Sequence, residues 1–290
     1  MRLTTKIIIG IILSIFILSI LTIIGFSFSD RKNYNTSHNR SMIIPQKNKI
    51  ALTNEPFKVI VIETEEPDSE NTYYYFFSNK ENGLFINPAT TVDDENKLFA
   101  PESFTGCISA HTNNDTLILK IKLDELRRKY GIIDEKDVKI RPHSRFYVTV
   151  TGLNLYWNMS NVDVINKLNG LQTRISNLET DSIKINSLGD VTIDYCKASV
   201  IEPVTKQQLT ISNCTAQVLN FDLDRLNNWK TESCNIKVTN FTGSKNANLK
   251  YDNSVRGTLN WIPKNKDGEV TLTIKGETSL ELKQPPSQDP

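Results

Sequence analysis

The sequence predicts an all-β protein: a single-stranded parallel β-helix (a β-solenoid), preceded by a β-rich N-terminal part and an N-terminal transmembrane helix. Three observations carry this. Six ten-residue segments repeat in register, their apolar positions alternate with period two, and the chain opens with one long apolar run. The repeats start at Leu155, Thr173, Val191, Leu209, Trp229 and Leu249, at spacings of 18, 18, 18, 20 and 20 residues. Self-similarity at a fixed period of this length marks a solenoid, in which no turn buries its own inner face and the stack supplies the core.

The N-terminal run from Lys6 to Phe28 is uncharged from Ile7 through Ser29, long enough to span a bilayer. Arg2 and Lys6 precede it, and the positive-inside rule then places the remainder outside the cytoplasm, periplasmic or on the cell surface. A cleaved signal peptide is the rival, since Ser27-Phe28-Ser29 offers small residues for cleavage. The run exceeds an ordinary signal core, which favours an uncleaved anchor over residues 1–29. No cysteine follows it to take a lipid.

Residues 30–55 are polar and aperiodic and read as a flexible stalk containing His38. Residues 56–152 form the β-rich N-terminal part of the ectodomain. Its strands are expected at Phe57–Glu63, Thr72–Phe77, Thr116–Lys122 and Arg145–Val150. Leu123–Tyr130 reads as one short helix, stopped by Gly131. The run Tyr73 to Phe77 could stack sugars, but such runs are more often core strands.

The repeats fill residues 153–262. Positions one and three are mostly apolar (Val191 and Ile193, Leu209 and Ile211), and positions six, eight and ten are small or apolar (Cys214, Ala216, Val218). Parity breaks between three and six, so a corner is expected at four and five. Those positions hold pairs such as Ser176-Asn177, Asp194-Tyr195 and Ser212-Asn213, rich in residues that tolerate left-handed backbone. A further apolar position follows at Ile165, Ile183, Ile201, Leu219 and Leu259. Column six reads Ser160, Leu178, Cys196, Cys214, Cys234, Ser254. Stacked turns about 4.8 Å apart would allow one disulfide, yet three thiols cannot pair completely and no histidine joins them for zinc. A packed inward ladder is the expectation. After the repeats, residues 263–283 are expected to cap the stack as a hairpin, with strands Arg256–Ile262 and Glu269–Lys275 around an Asp267-Gly268 turn. Residues 284–290 read as a disordered tail. A pentapeptide-repeat solenoid fits the 20-residue spacing but not the 18, and a hexapeptide helix fits 18 but lacks its aliphatic every sixth residue.

The order of these pieces resembles the auto-transporter adhesin head GIN domain family of bacterial envelopes. The likeness rests on an opening strand at Phe57–Glu63, "DTLILKI" at Asp115–Ile121, and "FYVTVTGLNLYWNMSNVDV" at Phe146–Val164 leading into short β repeats. It covers roughly Pro56 to Ile262. The resemblance implies a right-handed β-helix-like fold, an envelope location and no catalytic residues.

Motifs for chemistry are absent: no Gly-x-Ser-x-Gly, phosphate loop, His-Glu-x-x-His or Cys-x-x-Cys occurs. Cys107 with His111 offers two ligands, which are not a site, and His143 reads as a loop histidine. A net charge of +1 with interspersed signs predicts no nucleic-acid partner. Polysaccharide lyases and hydrolases also use β-helices, and they need clustered carboxylates. Asp163 and Asp181 share a predicted column, and Asp222, Asp224, Lys197 and Lys237 face outward. Such charges on a solenoid are usually just solvated. No catalytic, cofactor or metal residue is therefore assigned. The expected function is non-enzymatic binding, adhesin-like, with glycan chains or an envelope protein as partner. The alternative is a structural or sensory ectodomain of an envelope regulatory system, and the third reading is the lyase or hydrolase.

Overall fold

The computed structural model describes residues 38–43, 48–53, 57–65, 73–77, 82–88, 97–130, 146–151, 154–158, 162–244, 247–252, 257–265 and 270–275. The predicted anchor, His143 and the tail lie outside these residues. Among the described residues no helix is long and apolar enough to cross a membrane.

The first strands are β1 (His38–Ile43), β2 (Lys49–Ala51), β3 (Val59–Thr64), β4 (Tyr73–Phe77), β5 (Gly83–Asn87), β6 (Lys97–Pro101), β7 (Ile108–Asn113) and β8 (Thr116–Ile121). Helix α1 (Leu123–Tyr130) follows, where Leu123 and Leu126 supply a buried stripe. Then come β9 (Phe146–Thr151), β10 (Asn154–Asn158), β11 (Val162–Asn166), β12 (Gln172–Ser176), β13 (Glu179–Ser187), β14 (Val191–Asp194) and β15 (Lys197–Thr205). The chain continues through β16 (Gln208–Ser212), β17 (Thr215–Asp222), β18 (Asn228–Glu232), β19 (Asn235–Gly243), β20 (Ala247–Asp252), β21 (Thr258–Pro263) and β22 (Val270–Lys275).

The chain divides into two compact units, the smaller made of residues 1–40, 69–74 and 133–148. The larger holds two long sheets. One runs β18-β16-β14-β12-β5-β10-β6-β2, the other β21-β19-β17-β15-β13-β11-β3-β8-β7. From β12 to β19, each turn gives one strand to each sheet, all parallel to the turns next to them, which makes a β-solenoid of four turns. Thr173, Val191, Leu209 and Trp229 pair in one column, as the repeat predicts. The corner at position five is left-handed at Asn177, Tyr195, Asn213 and Ser233, with φ of 58°, 51°, 52° and 52°. That one residue rotates the chain so that position six points inward after position three.

Four expectations are corrected. Position ten is not an inward position: Val200, Val218 and Val238 are only half-buried, while Ala198 and Ile201 on either side of the first are buried. A second parity break thus bends each long strand at positions nine and ten. The first repeat is out of register past its corner: Val164 pairs with Ile185, not Ser182, and Ile165 with Asn186. The reason is β5, which lies between β10 and β12 and pairs with both, Leu84 facing Leu155 and Thr173. A repeat comparison cannot see a strand delivered from upstream. Third, Thr258–Pro263 and Val270–Lys275 do not form a hairpin with each other. β21 stacks in parallel on β19, continuing the column from Val238 to Thr258, while β20 and β22 pair in parallel as a separate two-stranded sheet, so Leu249 does not stack on Trp229 as the sixth repeat predicts. Fourth, the predicted stalk contains strands: β1 joins β9 and β4 in a three-stranded sheet, and β2 pairs antiparallel with β6.

Candidate functional site

Past each left-handed corner, positions seven and nine of the turn face outward. Column seven stacks Glu179, Lys197, Thr215 and Asn235. Column nine carries Asp181, Ser199, Gln217 and Lys237, all exposed. Between the columns lies an open recess of about 390 Å³ spanning three turns, lined by Glu179, Asp181, Lys197, Ser199, Thr215 and Gln217. Lys197 donates to Glu179 across one turn. The recess presents carboxylate, ammonium, hydroxyl and amide groups in turn, which suits a ligand rich in hydroxyls and amides.

The register shift of the first repeat also separates the two predicted acids. Asp181 stays on column nine, whereas Asp163 pairs with Lys184 on the other arm of the bend. Burial pushes the Asp163 carboxyl up, Lys184 opposes this and Glu202 adds to it. No stacked carboxylate pair exists there. Above Lys184, the same outward column runs Glu202, Asn220, Asn240 and Asn260. Asn220 donates to Glu202 at 2.7 Å, Asn240 to Asn220 at 2.8 Å and Asn260 to Asn240 at 2.8 Å. This amide ladder was visible as three asparagines spaced by 20 residues, a signal the apolar columns overshadowed.

Asp222 and Asp224 do come together, around a cation the sequence did not point to. Lys264 Nζ donates to Asp222 Oδ1 at 2.7 Å and Asp224 Oδ2 at 3.0 Å, and the Ser244 amide donates to Asp224 at 2.9 Å. The amide bonds, then Lys264, hold the Asp224 carboxyl below its usual range. Both carboxylates thus hold the loops around Lys264 and Ser244 together.

Cys196, Cys214 and Cys234 are free, buried thiols on consecutive turns. The Cys196 amide donates to Cys214 Sγ at 3.4 Å, and each thiol donates to the carbonyl two residues before it. The neighbouring thiols Cys196 and Cys234, and then burial, push the Cys214 thiol up. The column is the packed ladder expected. Cys107 and His111 do not converge, since the first is buried, with burial raising its pKa, and the second is exposed on β7. The side chains of His38 and of Tyr73 to Phe77 lie outside the described residues.

No family model and no curated protein matches this chain. Among solved structures it is similar to a candidate lipid binding protein from Parabacteroides distasonis ATCC 8503, at 10% identity over 83% of this chain and 98% of that one, with a TM-score of 0.28. Agreement at that level carries no functional argument.

Proposed function

We propose that this chain is a membrane-anchored, non-enzymatic binding protein of the bacterial envelope whose β-solenoid holds an extended partner along its outer wall. The observation that carries the reading is the recess: its lining repeats in register over three turns, on exposed side chains. Turns about 4.8 Å apart meet a polymer lying along the stack with a pair of polar side chains at each step, charged at one end and neutral at the other. Glu179, Asp222 and Asp224 are each ion-paired to a lysine, an arrangement suited to holding rather than to proton transfer. The apolar run over residues 6–28 supplies the tether, and the resemblance to GIN-domain adhesin heads points the same way.

The test uses the full chain in detergent micelles, incubated with peptidoglycan and envelope polysaccharides, reading both retention and polymer length. Retention without shortening is the expected result, and Ser199→Trp, which fills the recess, should abolish it. Shortening of the polymer would overturn the reading in favour of a hydrolase or lyase. Retention that ignores Ser199→Trp would remove the recess from the account.

A further inference from the structure

The outer face of the eight-stranded sheet carries a stripe that the repeat columns do not contain. Leu84, Ile86, Leu98, Ala100, Leu155 and Trp157 are buried in the core, so alternation turns Phe85, Phe99 and Tyr156 outward on three adjacent strands. Tyr156 is the register partner of both Phe85 and Phe99. Phe85 and Tyr156 stack with centroids 5.3 Å apart and planes 21° apart. Gly83 makes room for this, because a Cβ there would stand 3.0 Å from the Phe85 ring.

Cations surround the rings. Lys49, from β2, sets its ammonium 3.3 Å from the centre of the Tyr156 ring. Arg174 is the register partner of Phe85 on the other side, and Lys97 precedes Phe99 by two residues, on the same face of β6. Elsewhere on the molecule Lys120, Lys167, Lys197, Lys230 and Lys264 each pair with a carboxylate. Among the described residues, Lys49, Lys97 and Arg174 hold none. A ring face orders an ammonium without neutralising it, so Lys49 is positioned and still available to an anion.

We propose that this stripe binds an acidic polysaccharide, its sugar rings lying against Phe85, Tyr156 and Phe99 and its carboxylates meeting Lys49, Lys97 and Arg174. Aromatic rings take the C–H-rich side of a sugar, and the cations select the charged polymer over a neutral one. The inference rests on the binding reading above and adds a second wall with its own ligand class. Single-stranded nucleic acid would use the same groups, which makes it the competitor to test.

The experiment titrates the full chain in micelles with alginate, dextran and oligo-dT. Alginate should bind, weaken as salt rises, and bind at least tenfold less to Lys49→Gln/Arg174→Gln. Phe85→Leu should weaken it without changing the salt dependence, and Ser199→Trp on the other wall should leave it unchanged. Equal binding of dextran, tighter binding of oligo-dT, indifference to the double substitution, or no alginate binding would each overturn the inference. Peptidoglycan retained without alginate would sink this site alone. Neither polymer retained would sink the binding reading with it.

Discussion

The four turns from Gln172 to Gly243 stack on their sequence neighbours, whereas the layers beyond β12 and β13 are assembled from strands distant in the chain. Beyond β12 one sheet continues with β5 and then β10, while beyond β13 the other continues with β11 and then β3. The regular turns repeat one solution: a left-handed corner, a thiol or leucine at position six and the same inward parity. The interleaved layers solve each position separately. Trp157, fully buried on β10, stacks on Phe57 at 4.9 Å. The two buried side-chain polar atoms without a hydrogen-bond partner among the described residues, Trp157 Nε1 and Thr173 Oγ1, both sit on strands that flank β5. Interleaving therefore joins the N-terminal part to the stack at some cost in polar satisfaction.

The largest effect should come from burying a charge on either side of that comparison. Ala216→Asp in the regular turns and Leu84→Asp in β5 each place an unpaired carboxylate at a buried position, costing on the order of 4 kcal/mol or more. Val218→Asp, at the half-buried bend, should cost far less, and Gln217→Asp should be nearly silent in chemical denaturation. Hydrogen exchange then sharpens the comparison. If Leu84→Asp leaves the amides of β14–β19 protected, the regular turns are an independent unit; if protection is lost throughout, the stack is one cooperative body.

Next comes the seam between the two regions. A Cβ at Gly189 would stand 2.0 Å from the Leu171 carbonyl oxygen, so Gly189→Ala should destabilise by about 3 kcal/mol through a forced backbone shift. A loss below about 0.5 kcal/mol, read by urea unfolding, would mean that the Leu171 turn yields freely.

Smaller effects distinguish the corners from the flanks of β5. Tyr195 occupies the left-handed position that Asn177 and Asn213 fill on neighbouring turns. Tyr195→Asn should therefore raise stability by roughly 1 kcal/mol. Thr173→Val removes an unpaired buried hydroxyl and copies Val191 above it, and should also gain about 1 kcal/mol. A loss of stability in Thr173→Val would show that the hydroxyl is paired after all.

The smallest effects are in pH dependence, and they have opposite signs in the two regions. Asp224, on the regular turns, has its carboxyl held down. Its contribution is present above the unfolded value near 3.8 and is lost as pH falls through the lower folded value. Asp163, next to β3, has its carboxyl pushed up from 3.8, so its ionisation opposes folding as pH rises above that value. Asp163→Asn should raise the melting temperature at pH 7 relative to pH 4, and Asp224→Asn should do the reverse. The same sign for both variants would contradict this assignment.

The regular turns were legible because their physics is local and repeated. Alternation at positions one, three, six and eight fixes the inward face, and Asn177 and Asn213 mark the corner with a residue that accepts its backbone angles. Helix α1 and strands β3 and β8 were legible for the same reason. The second parity break was not, because valine at position ten fits a half-buried bend as readily as a core. The aromatic stripe was not either, since Phe85 belongs to a strand the repeats do not contain.

What the sequence determined by itself is the unit: its length, its corner and the inward positions one, three, six and eight, all set by neighbours within one turn. Tertiary structure decided the order in which units meet. Strand pairing satisfies backbone groups whatever segment supplies them, so nothing in Gly83–Asn87 alone announces that it will fill the gap between β10 and β12. That choice displaced Asp163 from Asp181, brought Phe85 beside Tyr156, and so determined which walls the molecule presents.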